Sequence, residues 1–138
     1  MAKIVIDANI IISAAFGGKP LEATAAALSK HNVYLSREIV GELRAVFVKL
    51  SKKLTDEQMK TIVIKFDELV AKAALVEVGK PVTLSRDAKD DHYLSLCKTI
   101  EADFLITGDK DLLCIERGTL RKEGILTRIV NPGEFLEE

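Results

Sequence analysis

Residues 3–13 read KIVIDANIIIS, an apolar run interrupted by one carboxylate, Asp7, and one amide, Asn9. Residues 3–6 form an apolar stretch that stops at Asp7 and reads as a buried β-strand. A helix is expected over residues 9–16, broken by Gly17, Gly18 and Pro20. A strand that ends in an acid and leads straight into a helix is the opening of an α/β unit. Open parallel sheets place their ligand sites at the carboxyl ends of such strands. The same run carries one lysine and then an aspartate, which a signal peptide's apolar core would not contain, so a cytoplasmic location is expected.

Outward from this stretch, short β-rich runs alternate with longer helical patterns, the signature of an α/β domain with a mainly parallel sheet. Residues 21–30 read as an alanine-rich helix and 33–35 as a second strand. Ser36 is placed to cap a helix over 37–50, in which Ile39, Leu43, Val46, Phe47 and Leu50 keep a helical period. Thr55 and Gln58 fit a capping box for the next helix, where Met59, Ile62, Val63, Phe66, Leu69 and Val70 recur at that period. A polar stretch at 85–91 leads to a helix over 90–101. Residues 103–107 form a strand ended by Gly108, residues 125–130 the last strand, and a loose tail is expected beyond Pro132. The expected architecture is one domain over residues 1–138, a three-layer α/β/α sandwich around four or five mainly parallel strands.

Composition agrees with a globular domain: 48% of the residues are apolar and 30% charged, and no stretch approaches the ~20 apolar residues of a membrane span. A net charge of −1 argues against coating nucleic acid by charge alone, yet bound cations can supply the positive charge that phosphates require. Cys97 and Cys114 lack metal-ligand spacing and read as buried reduced thiols. Two clusters, Lys49, Lys52 and Lys53, and Arg117, Arg121, Lys122 and Arg128, are solvated faces or guides for a polyanion. Few aromatic residues are free for base stacking.

The acids carry the chemistry. Asp7 ends the first strand, and Asp109, in LITGDKDLL, follows the end of another; each is a ligand or a helix cap. Glu42 borders the apolar stripe of its helix and can reach inward, whereas Glu38, one turn earlier, is expected in solvent. Asp90 and Asp91 open the helix before the 103–107 strand, more acid than a helix dipole requires. Carboxylates gathered at one sheet edge either protonate or bind a hard cation. Mg²⁺ or Mn²⁺ suits oxygen ligands in a site open to phosphate. Neither His31 nor His92 has an evident partner, although His92 directly follows the acid pair.

Taken together, VIDANIIISA, the glutamate of REIVGELRAVF, RDAKDDHYLSLC and ADFLITGDKDLL resemble the PIN-domain family of metal-dependent nucleases over nearly the whole chain. The resemblance implies a parallel α/β sandwich with Asp7, Glu42, Asp90 and Asp109 as the catalytic, metal-binding acids. Asp90 fits the third position better than Asp91, because it stands seven residues before Cys97, where the family usually has a small residue. Asp91 is then a helper, Asn9 and Thr107 match polar positions that hold the carboxylates or the attacking water, and Asp111 is a weaker auxiliary. The implied cofactor is Mg²⁺ or Mn²⁺ and the implied substrate RNA. Small members resemble the VapC-type toxin of toxin–antitoxin pairs, implying an antitoxin partner and a homodimer.

Three other readings stand beside this one. A receiver-like phosphoacceptor domain would need an acid pair after the first strand and an aspartate at the end of a mid-chain strand, and neither is present. An aspartate-nucleophile phosphatase would want an acid where Asn9 stands. A non-catalytic RNA- or protein-binding module on the PIN fold would be expected to have lost part of the acidic set.

Overall fold

β1 (Lys3–Ile6) occupies the middle of the sheet, and Ile4, Val5 and Ile6 are fully buried there. The computed structural model describes residues 1–84 and 90–138, so most of the polar stretch at 85–91 lies outside the described residues. Around β1 run α1 (Ala8–Ala14), α2 (Gly18–Lys30), β2 (Asn32–Leu35), α3 (Arg37–Ser51), α4 (Asp56–Lys72) and β3 (Ala74–Leu75). The second half holds α5 (Asp91–Ile100), β4 (Phe104–Ile106), α6 (Lys110–Leu113), α7 (Arg117–Lys122), β5 (Arg128–Val130) and α8 (Pro132–Leu136).

The five strands lie in the order β3-β2-β1-β4-β5 and every pairing is parallel. β1 pairs with β2 through Ile4 and Val33, and with β4 through Ile4 and Phe104. The chain therefore builds outward from β1 in one direction, then returns to β1 and builds in the other. Parallel crossovers are right-handed almost without exception, so this reversal puts α1 to α4 on one face and α5 to α7 on the opposite one. The carboxyl ends of β1 and β4 mark the switch point, where the helices diverge to either face.

Local signals explain most element boundaries. Ser36 accepts from the Ile39 N–H at 3.2 Å and starts α3. Thr55 and Gln58 form the reciprocal capping box of α4. At the break between α1 and α2, Gly17 and Gly18 both take positive φ, 92° and 72°, which side-chain-bearing residues adopt only with strain.

Three expectations need correction. The segment after Pro132 is a helix rather than a loose tail. Asn131 and Glu134 form a capping box, Pro132 stands in the first turn, and Phe135 is buried edge-on to Phe104. Cys97 is buried, but Cys114, the cap residue just past the end of α6, is exposed. Both histidines do have partners: His31 Nδ1 accepts from the Ala2 N–H at 3.1 Å, and His92 Nε2 meets Glu42 Oε1. The short elements β3, α6 and α7 were not anticipated, because two to six residues carry too little periodicity to stand out.

Candidate functional site

Asp7 leaves the end of β1 only 3% exposed. Its backbone N–H still pairs with the Ile106 carbonyl of β4 at 2.9 Å, which holds the two strand ends together. One carboxylate oxygen, Oδ1, accepts from the Asn9 N–H at 2.9 Å and so caps α1. The other, Oδ2, accepts from the Thr107 hydroxyl at 2.7 Å. Thr107 is itself fully buried, and its Oγ1 accepts from the Asp109 N–H at 3.0 Å. Asp109 repeats the local geometry of Asp7, with its Oδ1 accepting from the Asp111 N–H at 2.8 Å to cap α6. Each aspartate is therefore both a cap and a member of the site, because a carboxylate has more lone pairs than one cap uses.

The expected acids fall into two adjoining groups. Asp90, Asp109 and Asp111 bring one carboxylate oxygen each within 4.8 Å of one another, all three half-buried. Asp7 and Glu42 form the second group around Tyr93 of α5. The Tyr93 hydroxyl lies 2.5 Å from Glu42 Oε2 and 3.1 Å from Asp7 Oδ1, and it accepts from the Ala8 N–H at 3.0 Å. Glu42 Oε1 meets His92 Nε2 at 2.5 Å. Thr107 joins the two groups, with Asp7 on one side and Asp109 on the other.

The remaining expected positions take different places. Asp111 belongs to the close acidic triple. Asp91 is buried, and its Oδ1 accepts from the Leu84 N–H at 3.0 Å, outside that triple. Asn9 is exposed and supplies its backbone N–H to Asp7. Glu38 is exposed, as its place off the apolar stripe requires. Tyr93 was missed altogether, because in DHYLSLC it reads as one more apolar residue of a helix face.

Electrostatics follow from this packing. Burial alone would raise the Glu42 carboxyl, but hydrogen bonds from His92 and Tyr93, with the His92 charge, outweigh it and hold the group below its ordinary value. Burial, then the negative charge of Asp7, pushes the Tyr93 hydroxyl far up, so it remains a proton donor. Three further carboxylates crowd the adjoining group, one oxygen of each within 4.8 Å of the others. An all-oxygen, all-anionic donor set of this spacing fits a hard divalent cation, which would relieve the repulsion between its members.

Of the basic clusters, Lys49, Lys52 and Lys53 are exposed at the end of α3, and Arg117, Arg121 and Lys122 are exposed on α7. Arg128 is engaged elsewhere, 2.7 Å from Glu138 and over the Phe104 ring.

A sheet with these helices and acids at its switch point is that of a PIN-like α/β sandwich. A sequence profile of the PIN domain matches residues 3–111, and the chain belongs to that family. Among solved structures, the fold is similar to VapBC2 from Rickettsia felis, determined bound to a DNA fragment from their promoter. That match has a TM-score of 0.59 at 11% identity, covering 94% of this chain and 98% of the other. PAE2754 from Pyrobaculum aerophilum matches with a TM-score of 0.62 at 11% identity, covering 99% and 91%. A domain of a functionally unknown protein from Methanocaldococcus jannaschii matches with a TM-score of 0.55 at 14% identity, covering 94% and 91%. No curated protein matches the sequence. No helix among the described residues is long and apolar enough to cross a membrane.

Proposed function

We propose that this protein is a divalent-metal-dependent endoribonuclease that hydrolyses phosphodiester bonds in cytoplasmic RNA. The observation that carries the reading is the convergence of Asp90, Asp109 and Asp111 within 4.8 Å, joined through Thr107 to Asp7 at the switch point of the sheet. These acids would hold Mg²⁺ or Mn²⁺, with Glu42 beside them. A bound cation there supplies a water of lowered pKa and stabilises the oxygen that leaves phosphorus during in-line attack. The chain's own part is orientation. Thr107 fixes Asp7 and Asp109 relative to each other, and the two caps lock each aspartate onto the start of a helix. A phosphate approaching this anionic edge is repelled unless a cation intervenes, so activity should be strictly metal-dependent. Exposed lysines on α3 or arginines on α7 would guide the rest of the backbone.

The toxin of a toxin–antitoxin pair is the more specific reading, with an antitoxin protein and a second copy of the chain as partners. Family membership and the fold shared with VapBC2 support it.

The test is cleavage of labelled single-stranded RNA in Mg²⁺, Mn²⁺ and EDTA, beside a folded Asp7→Asn, Asp109→Asn variant. Cleavage should require metal and fall by about a hundredfold or more in the variant, the scale of several kcal/mol of transition-state stabilisation. Equal cleavage by both proteins would assign the activity to a contaminant. RNA binding without cleavage or metal uptake would make the chain a non-catalytic module.

A further inference from the structure

Tyr93 touches two acids of the sheet edge that come from different elements, Asp7 at the end of β1 and Glu42 on α3, and the nuclease reading does not use it. Its ring is buried in α5, 4.1 Å from the His92 ring. Its hydroxyl has a single proton to offer and two carboxylates to serve, Glu42 Oε2 at 2.5 Å and Asp7 Oδ1 at 3.1 Å. The Ala8 N–H, donating to the same oxygen at 3.0 Å, fixes where that oxygen sits. Glu42 lies on α3, on the opposite side of the sheet from α5, and its side chain is still 40% exposed. Without a partner, such a side chain would sample several rotamers in water. Tyr93 and His92 are what hold it over the sheet edge.

We propose that Tyr93 is a positioning residue that ties Glu42 to Asp7 and thereby sets the affinity of the acidic edge for a divalent cation. The inference rests on the metal-dependent reading above. Each carboxylate keeps lone pairs beyond the one that Tyr93 occupies, so the tie does not block coordination. It removes rotamer freedom from Glu42 before the cation arrives. Loss of the hydroxyl returns that freedom and leaves binding to remove it. Groups that hold ligating side chains in this way change metal affinity by about ten- to a hundredfold when mutated.

The experiment measures Mn²⁺ binding to the full chain by electron paramagnetic resonance of the free ion. Tyr93→Phe should weaken binding by about tenfold or more. In a Glu42→Gln background the same substitution should cause no further loss, because the tie has already lost its charged end. Thr127→Val removes a buried hydrogen bond to the Ala102 carbonyl, remote from the acids, and should leave affinity unchanged. Unaltered or tighter binding by Tyr93→Phe would overturn the inference and leave the nuclease reading standing. Absence of Mn²⁺ binding by the unmodified protein would overturn both.

A second measurement does not depend on Tyr93→Phe folding. The sequence has two tyrosines and no tryptophan, so in a Tyr34→Phe protein the near-ultraviolet tyrosine band reports Tyr93 alone. Glu42→Gln should shift that band to shorter wavelength as the hydroxyl loses a charged acceptor. An unmoved band would show that the hydroxyl does not donate to Glu42, and the proposal would fail.

Discussion

Cys97 and Cys114 show how far a residue's surroundings set its chemistry. Cys97 is buried on α5, and desolvation pushes its thiol up to about 12, against a weaker opposing pull from Thr127. The thiolate is the reactive form, so Cys97 should be inert at neutral pH while Cys114, exposed after α6, reacts. Titration with a thiol-disulfide reagent should therefore count one group in the native protein and two in denaturant. Two groups reacting at once under native conditions would contradict the buried placement. The same contrast governs the acids. Asp7 and Asp109 were legible as candidates because a carboxylate at the end of an apolar strand has few structural excuses. Tyr93 was not, since it reads as core, and Asp111 stood out only as a weaker auxiliary, since it resembles a routine first-turn acid. What distinguishes them is convergence in space, which depends on the relative placement of α3, α5 and α6.

Among the elements, α8 departs furthest from expectation. Its five residues contain too little periodicity to announce a helix, yet NPGE carries the start signal in full, an asparagine cap, a proline in the first turn and a glutamate at the third position. Phe135 then packs against Phe104 of β4 and His31 at the end of α2. Replacing Phe135 by alanine should cost about 3–5 kcal/mol, the range for emptying a buried aromatic site. Chemical denaturation would measure it; a loss within 0.5 kcal/mol, as for an exposed surface position, would return this segment to the status of a tail. The longer helices α3 and α4 were readable because their apolar period extends over three turns or more. β3 was not, being a two-residue edge strand directly after α4.

Across the whole molecule, the proposed reading makes the acidic edge a liability to stability that a bound cation would turn into a gain. Carboxylates from β1, α3, α5 and the β4–α6 turn are held together by folding and repel one another once gathered. A cation that binds only the folded chain stabilises it by mass action, about 2.7 kcal/mol at a hundred times its dissociation constant. Melting temperature should therefore rise by several degrees in Mn²⁺, and an Asp90→Asn, Asp109→Asn variant should lose that response. A rise of equal size in the variant would place the ion elsewhere. The sheet order that creates this edge was beyond reach from one sequence, because strands of similar composition fit several orders equally well. Parallel pairing itself followed from the alternation of strands and helices.

The two neighbours of β1 also differ greatly in when they are made. β2 follows after one short pair of helices, but β4 pairs with the same strand only after residue 104 has been synthesised. A nascent chain that has left the ribosome as far as α4 carries Asp7 and Glu42 and lacks Asp90, Tyr93, Thr107, Asp109 and Asp111. It has neither the acidic triple nor the group that aligns the other two acids. Closing so long a loop is also slow relative to local helix formation. Under the proposed reading, an unfinished copy beside the message being translated cannot cut it, and the delay before β4 docks gives any inhibitor time to arrive first.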